Sequence, residues 1–406
     1  MKKIEGGVTV AKGFQATGIY AGIKKKKKDM ALIYSEAPCK VAGTFTTNLV
    51  KAAPVKWDQK IVKESDFAHA IVINSGVANA CTGAVGYEYC VNMAAETGMA
   101  LNISKEAVLV ASTGVIGKQL PMDIICAGIP KLANQLGNTL EDGKLAAEAI
   151  MTTDTVSKEI AYEFKIGDKT AVIGGMCKGS GMIHPNMATM LCFVTSDIFI
   201  SKELLQEALS ENVKDTFNMI SVDGDTSTND SVLLLANGEA GNKEITKKNK
   251  DYALFVEALN KVMITLSKLI AGDGEGATAL FEVEVIGAKS KAQAVTLSKA
   301  IVTSSLTKAA IFGHDANWGR ILCAMGYSGA DFDPDKTDIY FESENGKLKI
   351  VENGMATDYS EEEATNILLA AEVRAVADIK MGNKKAVAWG CDLTLDYVRI
   401  NANYRS

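Results

Sequence analysis

Short apolar runs closed by glycine or polar residues alternate along this chain with longer stretches of helical period. The first 60 residues read as strands and hairpins, and "GIYAGIKKKKKDMALIYS" places two β-rich runs around Lys24 to Lys28. Those five lysines are taken as a solvated hairpin tip that discourages edge pairing, in preference to an anion-binding patch. "AHAIVINSGVANACTG" and "EAVLVASTGVIG" share a form, a buried strand running into a serine-containing, glycine-punctuated turn. "LEDGKLAAEAIMTTDT" predicts a helix ending near Met151. "SKELLQEALSENVKDTFNMI" predicts an amphipathic helix capped by Ser201, with Leu204, Leu205, Ala208, Leu209, Val213 and Phe217 as its buried stripe. A second helix over roughly 253–270 leads through "GDGEG" into a strand, and Ser360 with Glu363 forms a capping box for a short helix. "VRAVADIKMGNKKAVAWGCDLTLDYVRINA" reads as two strands joined around Gly382-Asn383. Strands and long helices in both halves favour an α/β (α+β) layered architecture over a bundle or an all-β sandwich. No internal repeat or low-complexity linker marks a boundary.

Composition narrows the function classes. The 406 residues allow a large core, and 47% hydrophobic with 23% charged residues is ordinary for a folded protein. A net charge of −6 argues against nucleic acid as the main partner. No apolar run is long enough for a membrane span, and "MKKIEGGVTV" lacks a secretory core, so a cytoplasmic location is expected. The eight cysteines form no CxxC pair and are expected to be reduced, buried hydrophobes; a metal or disulfide at Cys81 and Cys90 is not favoured. His69, His184 and His314 lack zinc-ligand spacing, so no metal is expected.

Several familiar chemistries then fall away. "GDGEG" follows a helix and precedes a strand, the reverse of a dinucleotide loop, and no GxxxxGK[ST] is present. No G-x-S-x-G elbow supports a hydrolytic triad, and His184 beside Pro185 reads first as a turn residue, second as a base. The stretch "CKGSGMIHPNMATMLCFVTSD" sets Thr189 between a glycine-rich loop and an apolar run. Two readings of Thr189 stay open on the residues alone. It is a β-branched strand starter, or it is a nucleophile whose own α-amine serves as base once the 188–189 bond is cut. An α-amine has an unperturbed pKa of about 7.7–8.0, suited to accepting a proton near neutrality. Gly179 and Gly181 allow unusual backbone angles, Pro185 stiffens the approach, and Ala188 adds no bulk at the attacked carbonyl.

"KGSGMIHPNMATML", "ASTGVIG", "MTTDT", "GDGEGATA", "GHDANWGRI" and the ending "AWGCDLTLDYVRINANYRS" occur in this order. Together they resemble the ornithine acetyltransferase (glutamate N-acetyltransferase) family of arginine biosynthesis, nearly end to end. The resemblance implies a layered helix-sheet sandwich with an N-terminal-nucleophile threonine, an aminopeptidase-related (DmpA/ornithine acetyltransferase-like) fold. It implies self-cleavage between Ala188 and Thr189 into an α chain (1–188) and a β chain (189–406) that form one intertwined catalytic unit. Two of each chain are expected to assemble as a heterotetramer. Thr189 would carry the acetyl group from N2-acetyl-L-ornithine to L-glutamate. Thr113 and Gly114 would form the oxyanion hole. Lys178 would pair with a substrate carboxylate and Glu275 with an ammonium. Thr152 or Thr153, Asn401 and Ser406 match the remaining substrate positions, the last with serine where many members have threonine. No cofactor is implied, although acetyl-CoA is a possible co-substrate. Two other classes remain: an N-terminal-nucleophile aminopeptidase of the same fold, in which water resolves the acyl-enzyme, and a non-catalytic amino-acid-binding protein.

Overall fold

The computed structural model describes residues 1–184 and 190–403. The long apolar runs become the strands of two sheets. In the first sheet are β1 (Lys2–Ile4), β2 (Phe14–Ile19), β3 (Met30–Phe45), β4 (Ala68–Val77) and β5 (Val108–Val115). It continues with β6 (Lys158–Ile166), β7 (Lys169–Lys178), β8 (Leu191–Ser196) and, beyond the short β9 (Ile220–Ser221), β10 (Ser231–Ala236). Its order is β1-β6-β7-β8-β10-β3-β4-β5, with β2 also on β3. Strands β8 and β10 are parallel, Leu191 opposite Ser231, as are β4 and β5. Every residue of β8 and β10 is buried, which explains why "LCFVTS" and "SVLLLA" show no polar alternation.

The second sheet holds β9, β11 (Leu280–Ala288), β12 (Asp338–Ser343), β13 (Gly346–Glu352), β14 (Met355–Ala356), β15 (Glu372–Asp378) and β16 (Lys384–Cys391). Its order is β14-β13-β12-β15-β11-β16-β9. Helices Ala53–Glu64, Gly83–Leu101, Met122–Asn134 and Leu140–Ala149 cover one face of the first sheet, where Trp57, Met93, Ile125 and Ala146 join the core. On the other face Cys192, Val194, Val232 and Leu234 meet helices Lys202–Lys214 and Lys250–Gly272. Helix Lys250–Gly272 also touches β11 and β16, so helix and sheet layers alternate.

Most predicted elements are present. The lysine run joins β2 to β3 with Ile19 opposite Met30, and Ser201 caps Lys202–Lys214 by accepting the Leu204 N–H. Phe217 lies beyond that helix, on a 3₁₀ turn, and is still fully buried. Ser360 accepts the Glu363 N–H at the start of helix Glu361–Leu368.

Four expectations change. Residues 53–64 form a helix rather than part of a hairpin region: Pro54 opens it, and Trp57 with Ile61 supplies its buried stripe. Strands β15 and β16 do connect around Gly382-Asn383, but β11 lies between them. "LDYVRINA" is a helix, Leu395–Ala402, opened by the Thr394 hydroxyl and with no buried residue, so no apolar period marks it. Cys81 and Cys323 are exposed, while five of the eight cysteines are buried. Among the described residues, no helix is long and apolar enough to cross a membrane.

Candidate active site

Parallel pairing brings the ends of β4 and β5 together: Ser112, Thr113 and Gly114, expected as a turn, continue strand β5 opposite Asn74, Ser75 and Gly76. Gly114 has φ +126° and faces Gly76 at φ +109°. A Cβ on Gly114 would lie 2.3 Å from the Gly76 carbonyl carbon, so only glycine fits. The Asn229 side-chain amide donates to the Ala78 and Ser112 carbonyls at 2.6 and 2.8 Å, locking the end of β5 to the loop that precedes β10. Lys178, the last residue of β7, is buried, and its ammonium approaches Thr113 Oγ1 at 3.5 Å. With that lone pair facing a donor, the Thr113 hydroxyl proton is left to point elsewhere.

Beneath these residues lies a buried ion triad that the motif reading did not identify. Lys158 Nζ donates to Asp154 Oδ1 at 2.7 Å and Asp273 Oδ2 at 2.5 Å, and its side chain is fully covered. Burial alone would raise the Asp154 pKa, but Lys158 and Lys178 with the Thr152 N–H outweigh it and hold it at about 2. The same attraction raises the Lys158 pKa against its own burial. The triad fastens three loops: Asp154 accepts the Thr152 and Gly179 N–H groups, and Asp273 accepts that of Thr155. Ser180 donates its hydroxyl to the Asp273 carbonyl at 2.7 Å, while the Glu275 N–H donates to the Ser180 carbonyl at 2.9 Å. The signal in sequence was the aspartate inside both "MTTDT" and "GDGEG", but nothing local joins them across more than a hundred residues.

Glu275 is 7% exposed, and its Oε2 accepts the Asn401 amide at 2.7 Å. A Cβ on Gly181 would lie 2.4 Å from the Glu275 carboxyl, so that glycine permits the close approach. No cation pairs with Glu275 among the described residues, and a buried carboxylate in that state favours a cationic ligand.

All of this converges on one cavity of about 310 Å³. Thr113, Gly114, Lys178, Glu275 and Asn401 line it, and so do both Thr152 and Thr153. Ser227, Thr228 and Asn229, which the sequence did not single out, complete a wall. The expected nucleophile Thr189, its neighbour Ala188 and the terminal Ser406 lie outside the described residues. Thr189 is bonded to Met190, whose carbonyl accepts the Ser231 N–H at 2.9 Å. His184 Nδ1 stands 3.1 Å from Ser221 Oγ. Burial and then Lys299 lower its pKa to about 4, leaving a neutral imidazole at pH 7.

The profile of the ArgJ family matches residues 15–406. The chain belongs to the ArgJ family. Among ArgJ relatives, the arginine biosynthesis bifunctional protein ArgJ 1 of Clostridium acetobutylicum is 53% identical over 97% of this chain and 96% of its own. The corresponding protein of Caldanaerobacter subterraneus is 51% identical over the full length of both. A crystal structure of ornithine acetyltransferase complexed with ornithine, from Mycobacterium tuberculosis, is 40% identical over 46% of this chain and 99% of that one, with a TM-score of 0.44. The arginine-biosynthesis reading of the ordered motif blocks is thereby borne out, and the aminopeptidase alternative is not favoured.

Proposed function

We propose that this ArgJ member cuts itself between Ala188 and Thr189 and then moves an acetyl group from N2-acetyl-L-ornithine to L-glutamate through an acetyl-threonine. The supporting observation is the convergence, in a single cavity, of two candidate oxyanion donors, a buried lysine and a buried carboxylate that pairs with no cation among the described residues. In the cut, Thr189 Oγ attacks the Ala188 carbonyl and the C–N bond breaks, so the peptide becomes an ester and the α-amine is freed; water then opens the ester to give the Ala188 carboxylate and the free Thr189 hydroxyl. That amine takes the Oγ proton as the hydroxyl attacks the acetyl carbonyl. The Thr113 hydroxyl and Gly114 N–H receive the developing oxyanion, and losing one such donor costs about 2.7–4 kcal/mol of barrier. Ornithine leaves with the proton on its nitrogen, and the glutamate amine then attacks the ester and restores the threonine. Lys178 pairs with the α-carboxylate, and Glu275 with the side-chain ammonium of the ornithine half.

No cofactor enters these steps. Acetyl-CoA as a second donor, a cytoplasmic location and an assembly of two α and two β chains belong to the same reading.

A denaturing gel with N-terminal sequencing tests the cut: the larger of the two species, residues 189–406, begins Thr-Met-Leu-Cys-Phe. Thr189→Ala stays whole and inactive, and Thr189→Ser still cuts. Glutamate-dependent release of ornithine from N-acetylornithine tests the transfer, and fast release without glutamate overturns it.

A further inference from the structure

The lysine run between β2 and β3 is not a loose hairpin tip. Asp29, fully buried, accepts the backbone N–H groups of Ala21, Gly22 and Lys24 at 2.6, 3.0 and 2.9 Å and folds the run back on itself. Lys24 lays its stem over Gly76 and donates to the Met151 carbonyl at 2.9 Å, next to the Thr152-Thr153 segment. Lys28 pairs with Glu148 at 2.9 Å. Lys25, Lys26 and Lys27 are exposed and make no ion pair among the described residues, and neither does Lys118. These four lysines and Lys24 line a cavity of about 570 Å³, and among the described residues no carboxylate lines it. Gly114, Thr152 and Thr153 belong both to this cavity and to the acyl-transfer cavity, so the two share a wall.

Such a concavity is poorly matched to the amino-acid substrates alone. The acyl-transfer cavity already holds one cation and one anion for them, in about 310 Å³. The neighbouring space is larger and carries four ammonium groups that have no ion-pair partner among the described residues. Like charges gathered in one cleft raise the cost of the fold and concentrate counter-charge there. Burial, with Lys27 adding to it and Asp29 opposing, lowers the Lys24 pKa to about 8, in keeping with a site short of negative charge.

We infer that the lysine cavity is a phosphate subsite of the acyl-transfer site, built for a ligand bearing two or more phosphate groups. Lysine binds phosphate as a point charge, and the shared wall lets a ligand held there reach the acyl cavity. The inference rests on the acyl-transfer reading. Two sources carry this chemistry: the phosphorylated arm of an acyl donor, and a free polyphosphate that acts as an effector.

The experiment uses the self-cleaved enzyme and a Lys26→Glu/Lys27→Glu variant, with inorganic pyrophosphate as the binding probe at low salt. Pyrophosphate binds the wild type, and the variant loses that binding. If the source is an acyl donor, pyrophosphate competes with acetyl-CoA and the variant raises the KM for acetyl-CoA about tenfold or more, while the KM for N-acetylornithine stays within about twofold. If acetyl-CoA is not turned over but pyrophosphate binding still depends on these lysines, the occupant is a free effector. Absence of pyrophosphate binding to the wild type, or equal binding by wild type and variant, overturns the subsite. A loss of N-acetylornithine turnover by the wild type would instead count against the acyl-transfer reading.

Discussion

At the residue scale the decisive group is Glu275, a buried carboxylate whose companion is an amide. Glu275→Gln keeps the shape and the Asn401 contact but removes the charge. It is expected to raise the KM for N-acetylornithine about 10- to 100-fold while barely changing that for glutamate, which has no side-chain cation. Steady-state kinetics with each substrate varied in turn check this; equal effects on both would reassign Glu275 to structure. Asp154 makes a prediction about stability. Its pKa is about 2 in the fold against 3.8 for an ordinary aspartate, so its contribution, about 2 kcal/mol, is fully present above pH 4. That contribution is lost as pH falls through about 2. The stability gap between wild type and Asp154→Asn, read from urea unfolding, is therefore expected to shrink from pH 5 downward; a constant gap would contradict it. Thr113, Gly114, Lys178, Glu275 and Asn401 were located through the resemblance of their short ordered motifs to the ornithine acetyltransferase family. They did not locate the Asp154–Lys158–Asp273 triad, because its members meet only through the fold.

At the element scale, the β4–β5 pair explains why glycine is needed at position 114, near the end of β5. Gly114→Ala puts a methyl against the Gly76 backbone at a φ that disfavours it, so the strand end has to open. We expect a loss of about 1–3 kcal/mol in stability and about 100-fold or more in kcat, measured by thermal unfolding and turnover. An active, stable variant would show that the strand end does not position the donors. The apolar start of strand β5 was legible as a buried run, whereas "STG", read as a turn, continues the strand because it pairs with the end of β4. Helix Leu395–Ala402 was not, because it buries no side chain and offers no period to read. Its importance is positional: it delivers Asn401 to Glu275.

At the scale of the whole molecule, the first sheet interleaves the two halves of the chain. Strands β8 and β10 lie beyond residue 188, yet β7 flanks one and β3 the other. The cleaved chains are expected to co-elute in native gel filtration and to unfold in one transition, separating only in denaturant; two independent transitions would refute the intertwined unit. Layering was legible from the mixture of strands and helices, whereas strand order was not, since β15 and β16 are neighbours in sequence and strangers in the sheet.

The place of β8, enclosed on both edges and both faces, also fixes the sequence of events in time. A strand so enclosed cannot be threaded into a finished sheet from solution, so assembly has to precede scission. The proposed self-cleavage is then expected to follow first-order kinetics, indifferent to dilution, and to stall in any chain that has not yet closed its central sheet.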